Sequence, residues 1–144
     1  MTAVPRLYEV LHKKINNQLS NQSKITQKLF SKTIELGTKK FEKHELLFIE
    51  KLQDFALDKL VRKKIQKKFG GNLKAFISGG AALNEQVGLF FQSLGINILQ
   101  GYGQTECSPL ISCNPIHKIK INSVGPIIKG IDTVSYTHLR AHET

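Results

Sequence analysis

The tightest constraint on this chain lies between Leu73 and Gln100, where the hydrophobic period changes twice within a short span. "LKAFIS" is an apolar run that meets Gly79-Gly80, too brief for a helix and suited to a buried strand. "NEQVGLFFQSLG" then follows a helical period. Asn84 is placed to cap its N-terminus, Glu85 falls in its first turn, Val87, Phe90, Phe91 and Leu94 form one apolar face, and Gly95 ends it. "INILQ" reads as a second strand. Strand, helix and strand at this length make a βαβ unit, with parallel strands and a right-handed crossover, so the expected class is α/β.

In α/β sheets, ligands collect at the carboxyl ends of the strands, where loops present backbone N–H groups and side chains to a common point. Two glycine loops, "SGGAAL" and "GYGQTE", leave such ends here. They are expected to face one crevice.

Upstream, from Pro5 to about Phe69, apolar residues recur at helical spacing: Leu7, Val10, Leu11 and Ile15, then Ile25, Leu29 and Ile34, then a denser set from Leu46 to Phe69 that includes Ile49, Leu52, Phe55 and Leu60. Two or three amphipathic helices are expected. Pro5 suits a first turn, and Gly70-Gly71 is a stop signal preceded by lysines that oppose the helix dipole. Downstream, "CNPIHKIKINSVGPIIKGID" has Asn-Pro and Gly-Pro turns without helical period, so loops with a short strand are expected.

A formal charge of +10 raises the question of a nucleic-acid or lipid partner. Nearly all of the excess precedes Gly70, in lysine-rich helical sequence such as "LVRKKIQKKFGG", and over that region as a whole Glu and Asp recur with the lysines on the polar face. That is the pattern of a solvated helix, so nucleic acid is not expected as a partner, whereas peripheral contact with anionic lipid headgroups is compatible with it. No apolar run reaches the roughly 20 residues of a membrane span, and the start lacks a leader's apolar core, which makes a cytoplasmic chain the expectation. Cys107 and Cys113 are read as reduced thiols, since no CxxC or paired histidines accompany them. His12, His44 and His117 are expected to be solvated, and Phe90 and Phe91 to pack in the core.

The chemistry-bearing stretch is "ILQGYGQTECSPLIS". Gly101 and Gly103 allow a planar ligand close to the main chain, and Tyr102 offers a flat face for a ring. The Thr105 hydroxyl can donate to a phosphate oxygen, and Glu106 is a hard oxygen ligand suited to Mg²⁺. Ring, hydroxyl and carboxylate fit a magnesium-nucleotide; the same residues also fit an ordinary loop with a helix-capping threonine.

"SGGAALNEQVGLFFQSLGINILQGYGQTECSPLISCNP" resembles the core of the adenylate-forming enzymes, specifically the AMP-forming long-chain fatty acyl-CoA synthetases. "AVPRLYEVLHKKI" is similar to the helical entry of that group, and "SVGPIIKGID" to the segment that follows, so the resemblance runs from Ala3 to Asp132. It implies that Tyr102 packs against adenine, Thr105 contacts the α-phosphate, and Glu106 holds Mg²⁺, with Thr105 and Glu106 the catalytic pair. Gly79, Gly80 and Ala81 would line the acyl and adenine region, and Gly101 and Gly103 would border the acyl pocket. The implied substrates are ATP (leaving AMP), a long-chain fatty acid and coenzyme A.

The resemblance also implies elements that this stretch lacks: a phosphate loop ending in Pro-Lys-Gly, a ribose-binding aspartate motif and a C-terminal lid with its lysine. The expectation is therefore residues 1–132 as an internal fragment of the large N-terminal domain, inactive by itself. Residues 134–144, "VSYTHLRAHET", resemble one frame of a translated sequencing-library adapter, so His138, His142 and Glu143 carry no functional expectation. Two other readings stand beside this one: a different adenylate-forming acid–CoA ligase, and a non-enzymatic basic helical module resting on Lys13 to Lys68.

Overall fold

Helix α5 (Glu85–Ser93) lies at the centre of the molecule, as its apolar face requires. A computed structural model describes residues 1–42, 47–105 and 110–134. Asn84 caps α5, its Oδ1 accepting from Gln86 N at 2.9 Å and Val87 N at 3.4 Å. Strands β2 (Phe76–Ser78) and β3 (Ile98–Tyr102) flank α5 in sequence and pair in parallel, Phe76 with Ile98 and Ser78 with Gln100. The expected βαβ unit is therefore present.

Two further strands complete a four-stranded sheet of order β1-β2-β3-β4. β1 (Thr2–Ala3) runs parallel to β2, in register with Ile77 and Ser78. The sequence gives no sign of this strand, because two residues carry no period. Their extended backbone continues through Val4 to Pro5, whose ring disfavours a helical conformation in the residue before it. This strand corrects the role of the lysine-rich helices. They are the crossover from β1 to β2 rather than an appendage before the βαβ unit. β4 (Ser112–Cys113) is antiparallel to β3 and bridges to Ile127, so the short strand expected downstream begins at the very start of that segment.

The crossover comprises α1 (Pro5–Ser20), α2 (Lys24–Phe41) and α3 (Phe48–Leu57), then a π-helical turn at Asp58–Arg62 and α4 (Lys63–Lys68). Ser23 caps α2 through Oγ, which accepts from Thr26 N at 3.3 Å. Gly70 and Gly71, both at positive φ, end α4 as expected. Tyr8 on α1 is fully buried against Phe76 and Phe91, with ring centroids 5.4 and 6.3 Å away, and its hydroxyl donates to Ile77 O at 3.0 Å. Burial pushes its phenol up to about 12. Phe90 and Phe91 lie in the same core.

The apolar stripe of α3 points the opposite way from expectation. Ile49, Leu52 and Phe55 are exposed, as is Leu60 beyond them, while the side facing α2 carries Glu50, Asp54 and Leu57. Ion pairs dock it: Lys39 Nζ to Glu50 Oε1 at 2.9 Å and Lys40 Nζ to Asp54 Oδ2 at 3.2 Å. Arg62, buried, sets its Nη2 2.6 Å from Asp54 Oδ1 as a charge contact poorly aligned for a hydrogen bond, and donates from Nε to Ser93 O at 2.9 Å. Val10, Ile25 and Leu29 are likewise exposed. His12 also departs from expectation: its ring packs edge-on against Phe90 with centroids 4.3 Å apart, and burial lowers its pKa. His44 lies outside the described residues, and His117 is exposed.

Candidate functional site

Because β2 and β3 are neighbours running the same way, the two glycine loops leave the same edge of the sheet side by side. A side chain built on Gly79 would sit 3.6 Å from Gly101 O, so the loop stems are in contact. Gly80 adopts φ +85°, a region that favours glycine, and nothing lies within 4 Å on its side-chain side. Ala81 is exposed next to it. The bend of "SGGAAL" therefore presents open main chain at the strand ends.

Tyr102 is the last residue of β3. Its carbonyl accepts from Ile111 N at 2.8 Å, which fixes the backbone, while the side chain is 46% exposed and its hydroxyl accepts from Gln104 Nε2 at 2.9 Å. Thr105 is exposed in the loop beyond, and Gly103 is half-buried. Glu106 and Cys107 lie outside the described residues. Gly101 is buried in β3, and an added Cβ would meet Leu110 Cδ1 at 3.0 Å and Ser112 O at 3.3 Å, so β4 and the segment before it pack against its bare main chain.

Side chains alternate along a strand, so Ser78, Gln100, Tyr102 and Ser112 share one face of the sheet at this edge. The hydroxyls of Ser78 and Ser112 are buried with no hydrogen-bond partner among the described residues. Gln100 ties the first glycine loop to the segment around Ile121. Its Oε1 accepts from Leu83 N at 3.1 Å, at the end of "SGGAAL", and its Nε2 donates to Ile121 O. Asn114, also buried, accepts from Lys120 N at 3.1 Å and donates to the carbonyls of Lys120 and Ser123. Gly125, at φ +81°, passes so close to β4 that a Cβ would lie 2.3 Å from Cys113 O. Burial raises the Cys113 thiol pKa, which keeps it neutral and favours a structural role.

None of Gln100, Asn114, Ser78 or Ser112 was singled out from sequence. A polar residue at the inward parity of an apolar strand, as Gln100 is with Ile98, was the available signal for the first. Among the described residues, no group of three or more His, Cys, Asp or Glu could hold a metal ion.

A family model of the AMP-binding enzymes matches residues 1–134. The chain belongs to the AMP-binding enzyme family. The match takes in the lysine-rich helices along with the glycine loops, and the two parts share one hydrophobic core, which removes the ground for a separate basic module. Among curated relatives, long-chain-fatty-acid–CoA ligase FadD15 of Mycobacterium bovis is 37% identical over 51% of this chain and 12% of its own length. Long chain acyl-CoA synthetase 3 of Arabidopsis thaliana is 31% identical over 90% of this chain and 19% of its own. Long-chain-fatty-acid–CoA ligase 2 of Schizosaccharomyces pombe is 33% identical over 92% of this chain, again 19% of its own length. The AMP-binding segment seen here thus spans less than a fifth of these relatives. No solved structure matches it.

Proposed function

We propose that this chain supplies one wall of the adenylate site of a long-chain fatty acid–CoA ligase, with Gly79–Ala81 and Gly101–Glu106 as its two lips. The supporting observation is the contact between the two loop stems at the ends of adjacent parallel strands, with an exposed aromatic ring on one and open main chain on the other. The orphaned Ser78 and Ser112 hydroxyls beside them suit a polar ligand.

In this reading the Tyr102 ring packs against adenine, and the Thr105 hydroxyl donates to an α-phosphate oxygen. Mg²⁺, held with help from Glu106, would neutralise phosphate charge. A carboxylate oxygen of the fatty acid attacks the α-phosphorus as its bond to pyrophosphate breaks. The thiol sulfur of coenzyme A then attacks the acyl carbon, and AMP leaves. In this reading the chain's own contribution is positioning, the end of β3 carrying the ring and the loop after it the hydroxyl. We place the activity in the natural full-length protein that contains this chain, at the cytoplasmic side.

ATP–pyrophosphate exchange in that full-length protein tests the reading. Exchange should require a long-chain acid, fall by at least about a hundred-fold in Glu106→Ala, and show an ATP KM raised about ten-fold in Tyr102→Ala. Unchanged exchange in both variants would remove the basis for this assignment.

A further inference from the structure

The outward side of α3 carries a feature that the nucleotide site does not use. Phe48 is 82% exposed and Phe55 75%, with Leu52 between them. At 3.6 residues per turn these three fall within roughly 60° of one another. The same stripe then continues as Lys59, Lys63 and Lys67 at intervals of four, a spacing that the π-helical turn accommodates, and all three lysines are exposed. One side of a single rod thus passes from bare aromatic and aliphatic surface to a row of cations.

The acids of this rod are directed elsewhere. Glu50 pairs with Lys39, Asp54 with Lys40 and Arg62, and Asp58 lies 3.6 Å from Arg62. Glu50 and Asp54 face α2 and the core, and the half-exposed Asp58 is turned toward Arg62, so the described part of the outward stripe, Phe48, Leu52, Phe55, Lys59, Lys63 and Lys67, carries no carboxylate. Among the described residues no helix is long and apolar enough to cross a membrane. Apolar rings flanked by unpaired lysines, on a helix too short to span, are the chemistry of an interfacial helix that lies in the plane of an anionic bilayer.

We infer that the α3–α4 rod docks on an anionic lipid surface, with Phe48, Leu52 and Phe55 entering the acyl boundary and Lys59, Lys63 and Lys67 meeting headgroup phosphates. The inference is independent of the nucleotide site. Its test is co-sedimentation of the full-length protein containing this chain with vesicles of equal parts phosphatidylglycerol and phosphatidylcholine, against phosphatidylcholine alone. Binding should need the anionic lipid and weaken in high salt. Replacing Lys59, Lys63 and Lys67 together by Gln should weaken it about a hundred-fold, at about five-fold per lysine. Phe48→Ser with Phe55→Ser should weaken it at least about ten-fold, while Ile25→Ser, at a residue 73% exposed on α2, leaves it unchanged. Circular dichroism confirms that each variant folds. Equal binding to both vesicle types, or full binding by either the lysine or the phenylalanine variant, overturns the inference. So does a dimer that the phenylalanine changes abolish while vesicle binding persists, since the face would then join two copies.

Discussion

Removal of Arg62 is the most informative perturbation of the fold. Its side chain is 7% exposed and makes three contacts: Asp54 Oδ1 at 2.6 Å, Asp58 Oδ1 at 3.6 Å and, from Nε, Ser93 O at 2.9 Å. Arg62→Met keeps the aliphatic packing and deletes the charge. Asp54 then retains only the largely exposed Lys40, and the Ser93 carbonyl at the end of α5 loses this donor. Breaking a buried pair costs about 3–5 kcal/mol; the remaining lysine places this case near about 3 kcal/mol. Asp54→Leu combined with Arg62→Met removes the stranded charge, so the double variant should lose only about 1 kcal/mol, the value of the Ser93 hydrogen bond.

Urea unfolding of wild type, Arg62→Met, Asp54→Leu and the double variant measures this directly. The pH dependence adds a check on sign. Burial pushes the Asp54 carboxyl up, but the Arg62 guanidinium and Lys40 outweigh it and hold it below the usual range. The folded pKa is thus depressed, so the pair's stabilisation is full above the unfolded carboxylate value of about 3.9 and is lost as pH falls through the folded value. The gap between wild type and Arg62→Met should therefore narrow in acid. A loss below about 1 kcal/mol in Arg62→Met, or additive single effects, would refute the reasoning.

Further outcomes follow from other close contacts. Gly37→Ala places a Cβ 2.6 Å from Ser93 Cα, so it should destabilise by about 1–2 kcal/mol in urea despite the better helix former. Gly125→Ala, with Cys113 O 2.3 Å from the new Cβ and φ at +81°, should lose about 3 kcal/mol or more and release the 114–123 loop in amide exchange. Gln100→Leu should cost about 2–4 kcal/mol and speed exchange at Leu83 N. His12 titrates below its unfolded value, so stability should decline as pH drops from about 6.5 toward the lower folded value, and His12→Phe should flatten that slope in thermal melts.

The β2–α5–β3 unit was legible because local signals agreed: Asn84 caps, Gly95 stops, and the period between them is helical. β1 was not, since two residues have no pattern and their partner, Ile77–Ser78, lies far along the chain. For α3, periodicity located an apolar stripe but not the side that meets the core. Partners on other elements, Lys39, Lys40 and Arg62, turned Glu50 and Asp54 inward. At the site, Tyr102 stood out by its glycine neighbours, whereas Gln100 acts through Leu83 and Ile121, main-chain partners that sequence spacing does not reveal.

Gln100 has one consequence for motion. A single amide grips the bend after β2 with one atom and the return segment near Ile121 with the other, so neither can shift without dragging its counterpart. A displacement of the first bend is thereby passed about forty residues downstream, to the stretch leading to Gly125. Mechanically, the two segments behave as jaws on a common pin.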